Sequence, residues 1–185
     1  MEREVEVIRS QKKLRQFIKN LKPNSVVLFI ISGKRYHELN VKVLKTIIEE
    51  KKFVGIYIAV SKPYSSLVKF LKEQGIDVNN IFFIDCISKT ILKEEKTELT
   101  KNCLFIRSPS SLTDLGIALS EALRTMKRRE RKFLFLDSLS TLLIYNNIKV
   151  VAQFVHYIIT KLKVCLLYTS DAADELDGVD LGGRR

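Results

Sequence analysis

The chain has 185 residues and a formal net charge of +11, and 46% of its residues are hydrophobic while 29% are charged. This composition is typical of a globular protein with one sizeable core, and it excludes an intrinsically disordered chain. No apolar run approaches the roughly 20 residues of a membrane-spanning helix, and the charged N-terminus lacks a signal-peptide core, so we expect a cytoplasmic protein without membrane contacts.

The first third of the chain alternates amphipathic and continuously apolar segments. Residues 9–22 carry apolar side chains at helical spacing, which predicts an amphipathic helix. Residues 25–31 are apolar throughout, which predicts a strand buried on both faces. Residues 32–35 break this pattern before a second helix, whose apolar stripe falls within residues 39–48. Residues 53–60 predict another buried strand.

The same alternation continues through the middle of the chain. A helix opens at Pro63 and ends at Gly75, which is a typical C-terminal helix cap. Residues 80–85 predict a third strand that ends in an aspartate. Residues 88–101 are rich in lysine and glutamate and predict a solvated excursion, and residues 103–107 form a short strand-like run.

The last elements complete an α/β pattern. Ser111 and Asp114 have the spacing of a capping box at the start of a helix, residues 133–137 are a strand, and residues 148–162 are a final helix. Apolar strands that alternate with amphipathic helices predict a mostly parallel sheet with helices on both faces. We expect one domain over residues 1–164.

Residues 165–185 differ in composition from the rest of the chain. They contain five acids and two arginines and so contribute a net charge of −3. Because the whole chain carries +11, residues 1–164 alone carry +14. This tail resembles translated sequencing-adapter read-through, and we expect it to be non-native and the domain to be truncated near Val164. A native polar tail is the alternative.

The three cysteines are scattered without metal-site spacing, which suits a reducing cytosol.

The stretch from Lys132 to Thr141 carries the main functional signal. Its apolar strand stops at Asp137, and open α/β sheets bind ligands at the carboxyl edge of their strands. In P-loop NTPases an aspartate at such a position lies near the magnesium ion of the nucleotide. We interpret Asp137 as a Walker B aspartate. The alternative is that its carboxylate caps the following turn.

The order of elements and the residues at the strand ends resemble the RecA superfamily, in particular KaiC/RadA-type ATPases and their archaeal relatives. The run from Phe135 to Ser140 carries the strongest match. The resemblance implies a three-layer RecA-like P-loop NTPase fold. It also implies that Asp137 helps to hold magnesium and that Gly33, Lys34, Arg35 and Ser138 line a nucleotide site with it.

Departures from the family pattern bear on activity. A P-loop has the form G-x-x-x-x-G-K-[ST], but the residue five before Gly33 is Leu28, and Arg35 stands where the hydroxyl ligand belongs. Gly33 and Lys34 fit an ordinary turn as well as a degenerate P-loop. Relatives that hydrolyse ATP carry a glutamate pair after the second strand, where this chain has Ser61 and Lys62.

We therefore expect a non-hydrolysing RecA/KaiC-like regulatory or interaction module with at most weak binding of ATP and magnesium. One alternative is an ATP-binding RecA-family ATPase. Another is a DNA-associated recombinase-type accessory protein, because the chain is basic and carries the run Lys127–Lys132. Contacts to nucleic acid would then be non-specific. A protein partner or a homo-oligomer is the expected assembly.

Overall fold

The computed structural model describes residue 8 and residues 10–22, 24–31, 36–51, 53–92, 100–126 and 132–174. Its helices are α1 (Gln11–Asn20), α2 (Tyr36–Lys51), α3 (Tyr64–Glu73), α4 (Ser88–Leu92), α5 (Leu112–Thr125), α6 (Leu139–Tyr145) and α7 (Ile148–Asp174). Its strands are β1 (Val54–Ala59), β2 (Ile81–Asp85), β3 (Cys103–Phe105) and β4 (Lys132–Asp137).

Four parallel strands form one sheet in the order β3-β2-β1-β4. Strand β1 pairs with both β2 and β4, so that its last residue, Ala59, stands between Asp85 and Asp137. The two aspartates therefore lie at the same carboxyl edge of the sheet. The predicted parallel sheet is confirmed, as are the strands predicted at residues 53–60, 80–85 and 133–137.

Helices cover both faces of this sheet. Successive side chains of a strand point to opposite faces, and accordingly Ile56 and Ile58 of β1 join the core beneath α5, α6 and α7. Tyr57 and Ala59 join a second core beneath α2 and α3. Burial on both faces explains why the strands are apolar throughout, and it confirms the predicted α/β class.

The strand predicted at residues 25–31 is wrong, because residues 24–31 form neither a strand nor a helix. Phe29 packs against Phe17 of α1, with ring centroids 6.4 Å apart. The alternate residues Leu28 and Ile30 are 68% and 91% exposed. The segment thus buries one side only. A continuous apolar run does not distinguish such a segment from a strand that is covered on both faces.

Local details differ from the predictions in the second half of the chain. The excursion predicted from residue 88 instead starts as α4, whose Ser88 is buried; residues 93–99 lie outside the described residues. Ser111 precedes α5, but its side chain makes no capping hydrogen bond. Helix α6 was not predicted, because its seven residues are too few to show a clear helical period.

Two glycines serve defined backbone roles. Gly75 follows α3 with a φ of 73°, a left-handed conformation that side chains with a Cβ rarely adopt. The C-terminal cap predicted there is confirmed. At Gly55 of β1, an added Cβ would overlap the ring of Phe133 on the neighbouring strand.

In the described part of the chain, no helix is long and apolar enough to span a membrane.

Candidate functional site

Asp137 is the centre of a hydrogen-bonded cluster at the carboxyl edge of the sheet. The residue is only 5% exposed. The hydroxyl of Tyr57 donates to its Oδ2 over 2.5 Å, and the side-chain amide of Asn40 donates to Oδ1 over 3.2 Å. The hydroxyl of Tyr36 also donates to Oδ1. We call these four residues the Asp137 cluster; in it, both carboxylate oxygens accept hydrogen bonds from the protein.

Two elements bring the donors to Asp137. Tyr57 lies in β1 opposite Phe135 of β4, and the two rings stack with centroids 5.2 Å apart, so that the hydroxyl reaches the end of β4. Tyr36 and Asn40 are four residues apart on α2 and therefore share one helix face. The first turn of α2 thus lies over the carboxylate.

Both tyrosines of the cluster are neutral hydrogen-bond donors at physiological pH. Burial raises the pKa of Tyr57 far above its ordinary value, and the charge of Asp137 raises it further. Burial and the hydrogen bond to Asp137 raise the pKa of Tyr36 from 10.0 to about 12. A phenolate beside a carboxylate would be repelled by it, whereas the neutral phenol donates a charge-assisted hydrogen bond.

A narrow cleft opens beside the Asp137 cluster between α2 and α3. Its free volume is about 10 Å³, which is about the space of one water molecule. The amine of Lys62 lies 4.6 Å from the centroid of the Phe70 ring, a cation–π contact. The cleft is lined by His37, Asn40, Val41, Leu44, Tyr57, Lys62, Leu67, Phe70, Leu71 and Asp137.

Ser138 has a structural partner within its own helix. It is the N-cap of α6, and its hydroxyl accepts a hydrogen bond from the backbone N–H of Thr141 over 3.2 Å. Its oxygen also lies 2.8 Å from the Thr141 hydroxyl. The serine predicted to bind nucleotide is therefore a helix N-cap, a position at which serine is strongly preferred.

Three residues of the predicted nucleotide site, Gly33, Lys34 and Arg35, lie outside the described residues. Their roles stay predictions. The basic run predicted to contact nucleic acid also lies outside them, except for Lys132. The non-native tail predicted from residue 165 overlaps the end of α7, and residues 175–185 lie outside the described residues.

Asp85, the second strand-end aspartate, accepts hydrogen bonds at both of its carboxylate oxygens. It is fully buried, and it accepts hydrogen bonds from the backbone N–H groups of Tyr64, Ile87 and Ser88 over 2.6, 2.7 and 2.9 Å. The Ser88 hydroxyl donates to it over 2.5 Å. This carboxylate joins the start of α3 to the turn before α4.

The hydrogen bonds of Asp137 compete with a metal ion for its carboxylate oxygens. Magnesium in a nucleotide site is held by one or two carboxylates together with phosphate and water oxygens, but both oxygens of Asp137 already accept hydrogen bonds from protein donors. Among the described residues, no three His, Cys, Asp or Glu side chains converge on one point. A metal ion would have to displace the hydrogen bonds of the cluster, which disfavours the metal role predicted for Asp137.

Sequence reasoning found Asp137 but missed its three donors. The available signal was Tyr57, a polar aromatic residue in an otherwise aliphatic strand, because a buried tyrosine hydroxyl usually has a hydrogen-bond partner. Tyr36 and Asn40 gave no such signal, since their strand-end partner is about a hundred residues away in the sequence.

A family model matches part of the chain. The family, described only as a family of unknown function (DUF7504), matches residues 83–164, which are less than half of the chain. The match runs from β2 into α7 and includes Asp137 and Ser138, whereas the three donors to Asp137 precede it. Searches of curated proteins and of solved structures found no significant match.

Proposed function

We propose that the chain is a non-hydrolysing RecA/KaiC-like regulatory or interaction module that binds Mg-ATP weakly at most. The observation that carries this proposal is the environment of Asp137, whose carboxylate accepts hydrogen bonds from Tyr36, Asn40 and Tyr57. Charge-assisted hydrogen bonds of this kind are about twice as strong as neutral ones. Binding a metal at Asp137 would therefore begin with the loss of several favourable contacts.

The sequence around the cleft supports the same proposal. Ser61 and Lys62 stand where hydrolysing relatives carry a glutamate pair, and a lysine ammonium does not act as the base for an attacking water. Removing one group that stabilises a transition state costs about 10²–10³ in rate. A chain without the glutamates, the P-loop hydroxyl and a free aspartate is expected to have no measurable turnover.

Weak phosphate binding is compatible with this proposal. Helix α2 has 16 residues and begins at Tyr36, directly after Lys34 and Arg35. The N-terminus of a helix attracts anions through its free N–H groups, and adjacent cations strengthen that attraction. We expect such binding to be dominated by charge and to weaken as salt rises.

The test is a phosphate-release assay with Mg-ATP on the full chain, run beside a titration with a fluorescent ATP analogue. We expect no turnover above the buffer rate and weak, salt-sensitive binding. The variants are Asp137→Asn, which removes the carboxylate of the cluster, and Asp77→Asn, which removes an exposed carboxylate in a loop and serves as the matched control. Robust turnover in the wild type and in Asp77→Asn, lost in Asp137→Asn, would overturn the proposal.

A further inference from the structure

Helices α5 and α7 form an open groove on the face of the sheet opposite the Asp137 cluster. It has a volume of about 410 Å³. The buried residues Leu112, Gly116 and Phe154 line it together with the exposed side chains of Ile117 on α5 and Val150 and Tyr157 on α7. None of the residues that line this α5–α7 groove carries a charge.

The groove is lined by both apolar and polar uncharged side chains, and several of the apolar ones are exposed. Ile117 is 62% exposed, Val150 47% and Tyr157 42%. Single exposed apolar residues are common, but a concave apolar patch is typical of a binding surface. Gly116 contributes to the shape, because a Cβ there would lie 3.3 Å from the Tyr157 ring. The absence of a side chain at Gly116 therefore lets the Tyr157 ring pack close to the α5 backbone.

The dimensions of the groove suit a helix. The α7 residues that line it run from Val150 to Tyr157, which are seven residues apart, or about 10 Å along the helix axis. Two helices with apolar residues between them can receive the apolar face of a third helix, as in helix-in-groove recognition. Two turns of a partner helix would cover this length.

Cations continue the groove face on both helices. Lys161 lies one turn beyond Tyr157, and its amine donates to the Tyr157 hydroxyl over 3.0 Å. Arg124 lies seven residues after Ile117 and therefore on the same side of α5. The apolar groove is thus followed by positive charge toward the C-terminal ends of α5 and α7.

We propose that the α5–α7 groove binds an amphipathic helix of a partner protein, with acidic residues of that helix lying toward Arg124 and Lys161. The proposal rests on the proposed function as an interaction module and names the partner's chemistry. A second copy of the chain suits the groove less well. It would bring its own Arg124 and Lys161 to a symmetric interface and would carry a net charge of +11.

The test uses two synthetic helical peptides of about five turns, with the same leucine stripe and with either glutamates or lysines on the flanks. Their binding to the full chain is measured by fluorescence anisotropy. We expect the acidic peptide to bind about tenfold or more tightly than the basic one, because opposite charge favours the complex. The double substitution Arg124→Glu and Lys161→Glu is expected to reverse this preference.

The groove itself is tested with Ile117→Asp, which is expected to weaken the acidic peptide about tenfold or more by charging an apolar wall. Ile91→Asp is the matched control, since Ile91 of α4 is 61% exposed and lies outside the groove. Circular dichroism and urea unfolding would show that both variants fold. Because both side chains are exposed, their effects on stability should be small.

Three results would overturn the proposal. The first is that both peptides bind equally well or that neither binds. The second is that the Ile117 and Ile91 variants lose the same amount of peptide affinity. The third is a homo-oligomer in sedimentation velocity that Ile117→Asp dissociates. The last result would identify a second copy as the occupant. Peptide binding and ATP turnover are separate measurements, so that turnover would overturn the proposed function alone and a lack of peptide binding would overturn the groove proposal alone.

Discussion

Replacing Tyr57 by phenylalanine tests the hydrogen bonding of Asp137 most directly. Tyr57 is 3% exposed, and its ring packs against Phe83 and Phe135 with centroids 5.8 and 5.2 Å away. Phenylalanine preserves this packing and removes only the hydroxyl. The substitution therefore isolates the hydrogen bond to Oδ2 of Asp137, which measures 2.5 Å.

The expected loss of stability follows from that bond. A hydrogen bond to a charged group contributes about 1.5–3 kcal/mol. The loss of stability should lie above the low end of this range. Asp137 is only 5% exposed, so its Oδ2 would lose the donor that Tyr57 provides while remaining buried. For a chain of this size, each kcal/mol lowers Tm by about 2–4 °C. We expect Tyr57→Phe to lower Tm by several degrees.

The assays are thermal unfolding and equilibrium unfolding in urea, with Tyr145→Phe as the matched control. Tyr145 is 44% exposed, so removing its hydroxyl should change stability by less than about 0.5 kcal/mol. A double-mutant cycle with Asp137→Asn should show strong coupling between positions 57 and 137. A loss below about 0.5 kcal/mol with an unchanged m value, or additive effects in the cycle, would refute the role assigned to this bond.

The cluster also predicts a dependence on alkaline pH. Burial, together with the hydrogen bond to Asp137, raises the pKa of Tyr36 from 10.0 to about 12 in the folded state. The contribution of neutral Tyr36 to stability is therefore fully present below about pH 10 and is lost as pH rises toward 12. Tyr36→Phe should lose less stability than the wild type over this range in pH-jump unfolding experiments.

Other predictions concern the core and the turns. Asp85→Asn should destabilise the chain by about 2 kcal/mol or more in urea unfolding. The new NH₂ group would be a donor placed against a backbone N–H, which is also a donor, so that a buried hydrogen bond is lost. An unchanged midpoint would contradict this. Burial raises the pKa of the Cys86 and Cys103 thiols, so in a Cys165→Ser background neither should react with a thiol reagent until the chain unfolds, and rapid labelling of the folded chain would count against their burial. Gly75→Ala should cost about 1–2 kcal/mol because of the positive φ at this position, and equal stability would show that the turn adapts.

Much of the architecture could be read from the sequence because burial leaves a local pattern. Strands covered on both faces must be apolar throughout, which located β1, β2 and β4. The helix C-terminal cap at Gly75 followed from the backbone freedom of glycine. The same reasoning placed a strand at residues 25–31 and was wrong, because apolarity indicates that a segment tends to be buried but does not indicate a hydrogen-bonded neighbour.

The sequence by itself determined that Asp137 ends an apolar strand and that Ser138 follows it. Only the tertiary structure decided which groups surround the carboxylate, because Tyr36 and Tyr57 reach it from α2 and β1, 101 and 80 residues away in the chain. A strand-end aspartate can hold a metal or accept hydrogen bonds, and the choice depends on neighbours that the folded sheet brings to that edge. Here the neighbours are hydrogen-bond donors, which favours the second role.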